Sequence, residues 1–190
     1  LAKEKVYGDV KRIQTGFCQL AEKGIWRLDK NLAGGGPLMD LGIYCLQGVM
    51  YTTGMEPVAV TAQSVPVSDK EKFVDIEETL DFQMEMPGGI FADCRTGYSE
   101  TSNYLRAQAD KGWFEIKPAF SYSGLKAATS GGKIITHPPL SQQAKQMDGI
   151  ALSVKKNEQS IVPGEMGRRD VKIIEAIYEA MRTGKRVEIK

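Results

Sequence analysis

The sequence is poor in the side chains that most often hold metals. It has one histidine, His137, and three cysteines, Cys18, Cys45 and Cys94, in 190 residues. The cysteines are odd in number, far apart and unaccompanied by any C-x-x-C pair. They read as reduced, buried thiols, and no metal site is expected. His137, between Thr136 and Pro138, reads as a loop or helix-cap residue. Charge of one sign is also lacking: the net charge is +1, with acids and bases interspersed. Nucleic acid and anionic membrane are therefore not expected as partners. No run approaches the roughly 18 consecutive apolar residues of a membrane span, and no secretory h-region opens the chain. No repeat or low-complexity segment is present.

What remains is a globular composition, 42% apolar and 26% charged, long enough for one domain with a real core. Residues 1–8, LAKEKVYG, are polar and begin without Met. They read as the remnant of a preceding helix, with more protein expected upstream. Residues 9–20 read as a strand through Val10, Ile13, Phe17 and Leu20, and 24–36 as a loop. A helix over 37–53 is marked by Pro37 in its first turn and Gly54 at its end. EPVAVTAQSV and IEETLDFQMEM alternate as strands. In the second, Ile76, Glu78, Leu80, Phe82, Met84 and Met86 share one face and Glu77, Thr79, Asp81, Gln83 and Glu85 the other. PGG at 87–89 turns into a partner strand, and two more hairpins follow through DKG and SGG. Two helices follow. One, 141–156, has Ala144, Met147, Ile150, Ala151 and Val154 at helical spacing; the other, about 165–183, has Val171, Ile174, Ile177, Tyr178 and Met181 as its buried stripe. RVEI adds a last short strand.

Tight turns between consecutive strands mean antiparallel pairing. The expected class is α+β: an open, mostly antiparallel sheet with helices packed on one face, a single domain over 1–190. The polar sheet face would meet solvent or another subunit.

Candidate chemistry centres on GGGPLMDLGIYCLQG at 34–48. A dinucleotide cradle needs G-x-G-x-x-G after a strand; here Met39 stands where the third glycine belongs, and the loop WRLDKNLA precedes. No Walker loop is present either. Asp40 and Tyr44 are i and i+4, on one helix face near the N-terminus, where the dipole favours an anion. A carboxylate beside a phenol can act as a general acid–base pair. With an ordinary tyrosine pKa of about 10, a nearby cation is needed near neutrality. The plainer alternative is an N-terminal helix acid and a core tyrosine with a hydrogen-bonded tip.

The run WRLDKNLAGGGPLMDLGIYCLQ, the following EPVAV, and VPGEMGRRDVKIIEAIYEAMRTGKRV near the end resemble the C-terminal domain of the Gfo/Idh/MocA oxidoreductases over essentially all 190 residues. That resemblance implies a dihydrodipicolinate-reductase/GAPDH-like α+β domain which supplies substrate contacts and an oligomer interface. An N-terminal Rossmann domain, absent from this sequence, would hold NAD or NADP. The family motif D-x-G-x-[HY] reads Asp40-Leu41-Gly42-Ile43-Tyr44. Its tyrosine matches the glucose–fructose oxidoreductase and dimeric dihydrodiol dehydrogenase branch. By resemblance Tyr44 is the proton donor or acceptor at the substrate hydroxyl or carbonyl, Asp40 assists, and the catalytic lysine belongs to the other domain. Trp26 and Arg27 match a W-R pair near cofactor or substrate. Lys30 would face the same cleft, and Gly35 and Gly36 would give clearance to a ligand. Arg95 and Tyr98 could face a substrate or a partner subunit. The substrate implied is a sugar, polyol or related alcohol or carbonyl, and the chain alone would be inactive. A homodimer or tetramer through the sheet face and a cytoplasmic setting are expected, a periplasmic one being compatible with the family. The competing reading is a non-catalytic dimerisation or carbohydrate-binding module.

Overall fold

A computed structural model describes residues 1–136, 138 and 140–189, so His137 lies outside the described residues. In chain order the elements are strand β1 (Val10–Cys18), one-turn helix α1 (Lys30–Ala33), helix α2 (Ile43–Thr53) entered through a π-wound turn at Leu38–Gly42, and strands β2 (Ala59–Ser64), β3 (Thr79–Met86), β4 (Ile90–Gly97), β5 (Ser102–Ala109), β6 (Gly112–Ile116), β7 (Lys126–Thr129) and β8 (Ile134–Thr136). Helices α3 (Gln142–Lys156) and α4 (Gly164–Thr183) and strand β9 (Val187–Glu188) complete the chain.

Alternation in β3 does what the pattern demands. Leu80, Phe82, Met84 and Met86 are buried while Asp81, Gln83 and Glu85 turn to the other face. The described strands form one open nine-stranded sheet in the order β8-β7-β6-β5-β1-β4-β3-β2-β9. Its pairings are antiparallel except β1 with β4, which are parallel. Helices α2 and α4 cover one face, sealing a core that includes Ile13, Leu38, Leu46, Val49, Leu80, Met84, Ile174 and Ile177. The class and architecture expected from sequence are those observed. Gly54, at φ +70°, ends α2 as its position suggested.

Several details differ from expectation. The segment 24–36 is not plain loop: Trp26–Leu28 forms a 3-10 turn and Asp29 caps α1. In α4 the buried stripe is Asp170, Ile173, Ile174, Ile177 and Ala180, whereas Val171 is exposed. Glu77 and Thr79 do not face solvent; both are buried, because β3 begins only at Thr79 and the chain before it dives beneath α2. Helix α3 forms, with Ser141 as its N-cap, but buries no residue: Met147 is 72% and Val154 77% exposed. The three cysteines are free and buried, and burial pushes the Cys45 thiol up to about 12. No helix of the described residues is long and apolar enough to cross a membrane.

The opposite sheet face is polar and laced with ion pairs. Arg95 bridges Asp81 (2.7 Å) and Glu100 (2.6 Å), and Arg12 meets Asp93 at 2.6 Å. On the helix side a buried carboxylate joins α2 to α4: Asp170, 0% exposed, accepts from the Gln47 side-chain amide at 2.6 Å and from Arg169 Nη2 at 2.8 Å. Removing it strands both donors. Asp170→Ala is expected to lower stability by about 2–3 kcal/mol, read as a reduced urea midpoint at unchanged slope.

Candidate active site

The entry to α2 is fixed by a carboxylate that the sheet brings underneath it. Gly34 ends α1 in the left-handed region at φ +78°. The next two glycines lie against the protein interior. A Cβ on Gly35 would collide with the Tyr178 hydroxyl, and one on Gly36 would sit 2.7 Å from Glu77 Cδ and 2.9 Å from the Glu77 carbonyl oxygen. Glu77 Oε1 accepts from the Leu38 backbone N–H and the Tyr178 hydroxyl, both at 3.0 Å, and Thr96 Oγ1 donates to the Pro37 carbonyl at 2.9 Å. Burial pushes the Glu77 carboxyl above the usual range; the same cause, joined by the Glu77 charge, pushes Tyr178 up. Gly35 and Gly36 therefore have a packing reason: their missing side chains make room for Tyr178 and Glu77. They do not form a phosphate cradle, since a carboxylate occupies the place where an anion would bind.

From Leu38 the helix begins with a π turn in which the Ile43 N–H reaches back five residues to the Leu38 carbonyl. Such widened turns recur at functional sites. Asp40 lies in this turn and Tyr44 just beyond it; both line the same open groove, about 1430 Å³ in volume, and they share no hydrogen bond. Asp40 is held by other groups. Its Oδ2 accepts from the Tyr98 hydroxyl at 2.9 Å and pairs with Arg27 Nε at 3.1 Å. The Arg27 guanidinium lies 4.6 Å from the Trp26 ring centroid, a stacked arrangement that limits its rotamers. Tyr98 is only 3% exposed. Burial, with the Asp40 charge second, pushes its phenol well above the ordinary tyrosine range, so it stays a hydrogen-bond donor. The pair with Arg27 is partly exposed and contributes little energy; what it supplies is orientation.

Tyr44 stands on the first turn of α2, 46% exposed. Its ring meets Phe17 edge-on at 5.4 Å and Phe120 at 6.1 Å. The groove thus has a charged end, Arg27, Asp40 and Tyr98, and an aromatic side, Tyr44, Phe17 and Phe120. Of the residues that sequence singled out, Asp40, Tyr44 and Arg27 line it. Trp26 lies just outside, beneath Arg27, and Lys30 is exposed on α1 away from the lining. Arg95 and Tyr98 part company: Arg95 faces the polar side of the sheet, Tyr98 the groove. Sequence reasoning passed over Glu77 as an interior group, and it named Tyr98 without seeing it as the partner of Asp40. Strand parity was the available signal, because Cys94, Thr96 and Tyr98 share one face. Among the described residues no group of three or more His, Cys, Asp and Glu is placed to hold a metal.

Residues 1–117 match the model of the GFO/IDH/MocA C-terminal domain. The chain belongs to this family. An aldose–aldose oxidoreductase from Caulobacter crescentus, solved with glycerol, is 36% identical and superposes with a TM-score of 0.91, the match covering 98% of this chain and 57% of that one. The NADP(+)-dependent D-xylose 1-dehydrogenase of Haloarcula marismortui is 28% identical over 170 residues, 86% of this chain and 47% of that protein. A second NADP(+)-dependent D-xylose 1-dehydrogenase, from Haloferax volcanii, is 26% identical over 170 residues, 86% of this chain and 50% of that protein. The chain thus spans about half the length of these family members.

The buried Glu77 gives a pH signature. Because its folded-state pKa is raised, its contribution is complete below the unfolded value and is lost as pH rises through the folded one. Glu77→Gln keeps an acceptor oxygen and removes that titration. In paired thermal melts from acid to neutral pH, the wild type is expected to lose ground to the variant as pH rises; parallel curves would refute a raised Glu77.

Proposed function

We propose that this chain is the substrate-binding and oligomerisation half of an NAD(P)-dependent oxidoreductase that acts on a sugar, a polyol or a related alcohol or carbonyl compound. The dinucleotide would be bound mainly by a domain outside this sequence; the chemistry it supplies is hydride transfer. The observation that carries the reading is the convergence of Asp40, Arg27, Tyr98 and Tyr44 on one groove, in a chain 36% identical to an aldose–aldose oxidoreductase. Xylose dehydrogenases among the relatives point to the same substrate class.

In this reading Tyr44 Oη exchanges the proton of the reacting hydroxyl or carbonyl. The Asp40 carboxylate, aimed by Arg27 and Tyr98, accepts a hydrogen bond from the substrate and fixes its pose. Trp26 steadies Arg27. Lys30 belongs to the rim that a second domain would approach, while Gly35 and Gly36, packed on Tyr178 and Glu77, set the backbone that carries Asp40 into the groove. The polar sheet face, with Arg12, Asp81, Asp93 and Arg95, is the proposed dimer or tetramer surface, and three unpaired thiols suit a cytoplasmic setting.

Two experiments test this. In the full-length protein, followed by nicotinamide absorbance, Tyr44→Phe is expected to lower kcat by about 10²–10⁴-fold. Tyr98→Phe, which deletes only the hydrogen bond to Asp40, is expected to cost about tenfold. Turnover unaffected by Tyr44→Phe would leave the non-catalytic module as the better reading. For assembly, sedimentation should give a dimer or larger species. Arg95→Asp, which sets a third carboxylate beside Asp81 and Glu100, should shift it towards monomer.

A further inference from the structure

We propose that the loop joining β6 to β7 carries a sugar-ring platform: Phe120, with Tyr122 at its rim, seats the C–H face of an aldopyranose ring while the ring's reacting end lies at Tyr44 and Asp40. The proposal rests on the oxidoreductase reading of the groove and names the part of the substrate that its aromatic side recognises.

The loop is anchored from two sides by side-chain hydrogen bonds. Asn103 on β5 accepts through Oδ1 from the backbone N–H of Ala119 and of Phe120, both at 2.8 Å, and donates through Nδ2 to Ser121 Oγ at 3.1 Å. From the other side Gln142, at the start of α3, donates to the carbonyls of Ser121 at 3.2 Å and Tyr122 at 3.1 Å. A wall fixed in advance loses little entropy when a ligand binds it. Phe120 is half-buried, its ring 5.3 Å from Phe17 and 6.1 Å from Tyr44, so the platform adjoins the phenol assigned to proton exchange. Gly48 on α2 admits it: a Cβ there would come within 3.3 Å of Phe120 Cε1. The last glycine of the 34–48 run thus helps to set the aromatic ring in the groove wall.

The chemistry around Phe120 suits a neutral polyhydroxy ring. Tyr122 is 72% exposed and brings a second ring and a hydroxyl; Ser121 and Ser123 add further hydroxyls to the lining, and Lys126 is the cation at that end. A phosphorylated or anionic ligand would call for more positive charge, and a fatty ligand for fewer hydroxyls. A pyranose has C–H groups on its faces, which lie well on an aromatic ring, and hydroxyls on its edge, which meet Ser and Tyr oxygens. An open three-carbon polyol has no such face to lay on the ring.

Two probes separate the ends of the groove: methyl β-D-xylopyranoside, whose ring cannot open, and glycerol. Their dissociation constants are measured by NMR titration of the full-length protein, apart from any turnover. Tyr122→Ala alters an exposed side chain, and Phe120→Leu keeps apolar volume while removing the ring. Each is expected to weaken the xyloside about five- to tenfold and to leave glycerol unchanged, which also shows the fold to be intact. The platform is overturned if the wild type does not bind the xyloside, if neither variant weakens it, or if glycerol suffers equally. Xyloside binding as described without nicotinamide-dependent turnover of any aldose or polyol would sink the oxidoreductase reading and leave the platform standing. Turnover with unchanged xyloside affinity would do the reverse.

Discussion

A single buried carboxylate organises the functional end of this domain. Glu77 sits just ahead of β3, 8% exposed, and its Oε1 takes hydrogen bonds from Leu38 and Tyr178, which lie 39 and 101 residues away in sequence. A helix begins with N–H groups that have no partner within the helix; here one of them is answered by a side chain 39 residues away instead of by a local capping residue. Desolvating an acid is costly unless donors surround it. The glycines at 35 and 36 are what allow them to come near enough. Helix start, sheet and closing helix are thereby locked into one geometry, and Asp40, two residues beyond Leu38, inherits it.

The same economy governs Asp40 itself. It is held from both sides, by a phenol rising from the end of β4 and by a guanidinium stacked on Trp26, so its orientation does not depend on Tyr44. That leaves the Tyr44 hydroxyl uncommitted to Asp40 while its ring lines the groove. Asp170 ties α2 to α4 through Gln47, so the helix is pinned at its entry and again near its middle by acids from distant parts of the chain.

Much of this was legible in the sequence because it follows from short-range rules. The alternation in TLDFQMEM set β3 and its buried face, Pro37 and Gly54 bracketed α2, and the DLGIY run pointed to the groove. What escaped depends on contacts that periodicity does not encode. An acidic residue in a strand-like pattern reads as solvated, and only the close approach of Gly36 and Tyr178 makes Glu77 an interior group. The i, i+4 spacing put Asp40 and Tyr44 on one groove, but it could not show that Asp40 is engaged by Arg27 and Tyr98 instead of by Tyr44. Tyr98 was visible as a residue but not as a partner, because Asp40 lies 58 residues away and only the tertiary fold brings the two together. In α3 the apolar spacing gave the helix correctly, yet spacing cannot say whether a face will be covered.

The parallel pairing of β1 with β4 bears on how the chain is assembled. β1 lies at the centre of the sheet, flanked by β4 and β5, and its Arg12 pairs in register with Phe91 and Gln108. Closing loops of that length carries an entropic cost before any contact repays it. During synthesis the central strand therefore leaves the ribosome long before either neighbour exists, and the β3–β4 hairpin, complete within a short stretch, can form before β1 is docked. Once β1 is seated, Phe17 comes against Tyr44 and Phe120, so the aromatic side of the groove is complete only when three distant parts of the chain have met.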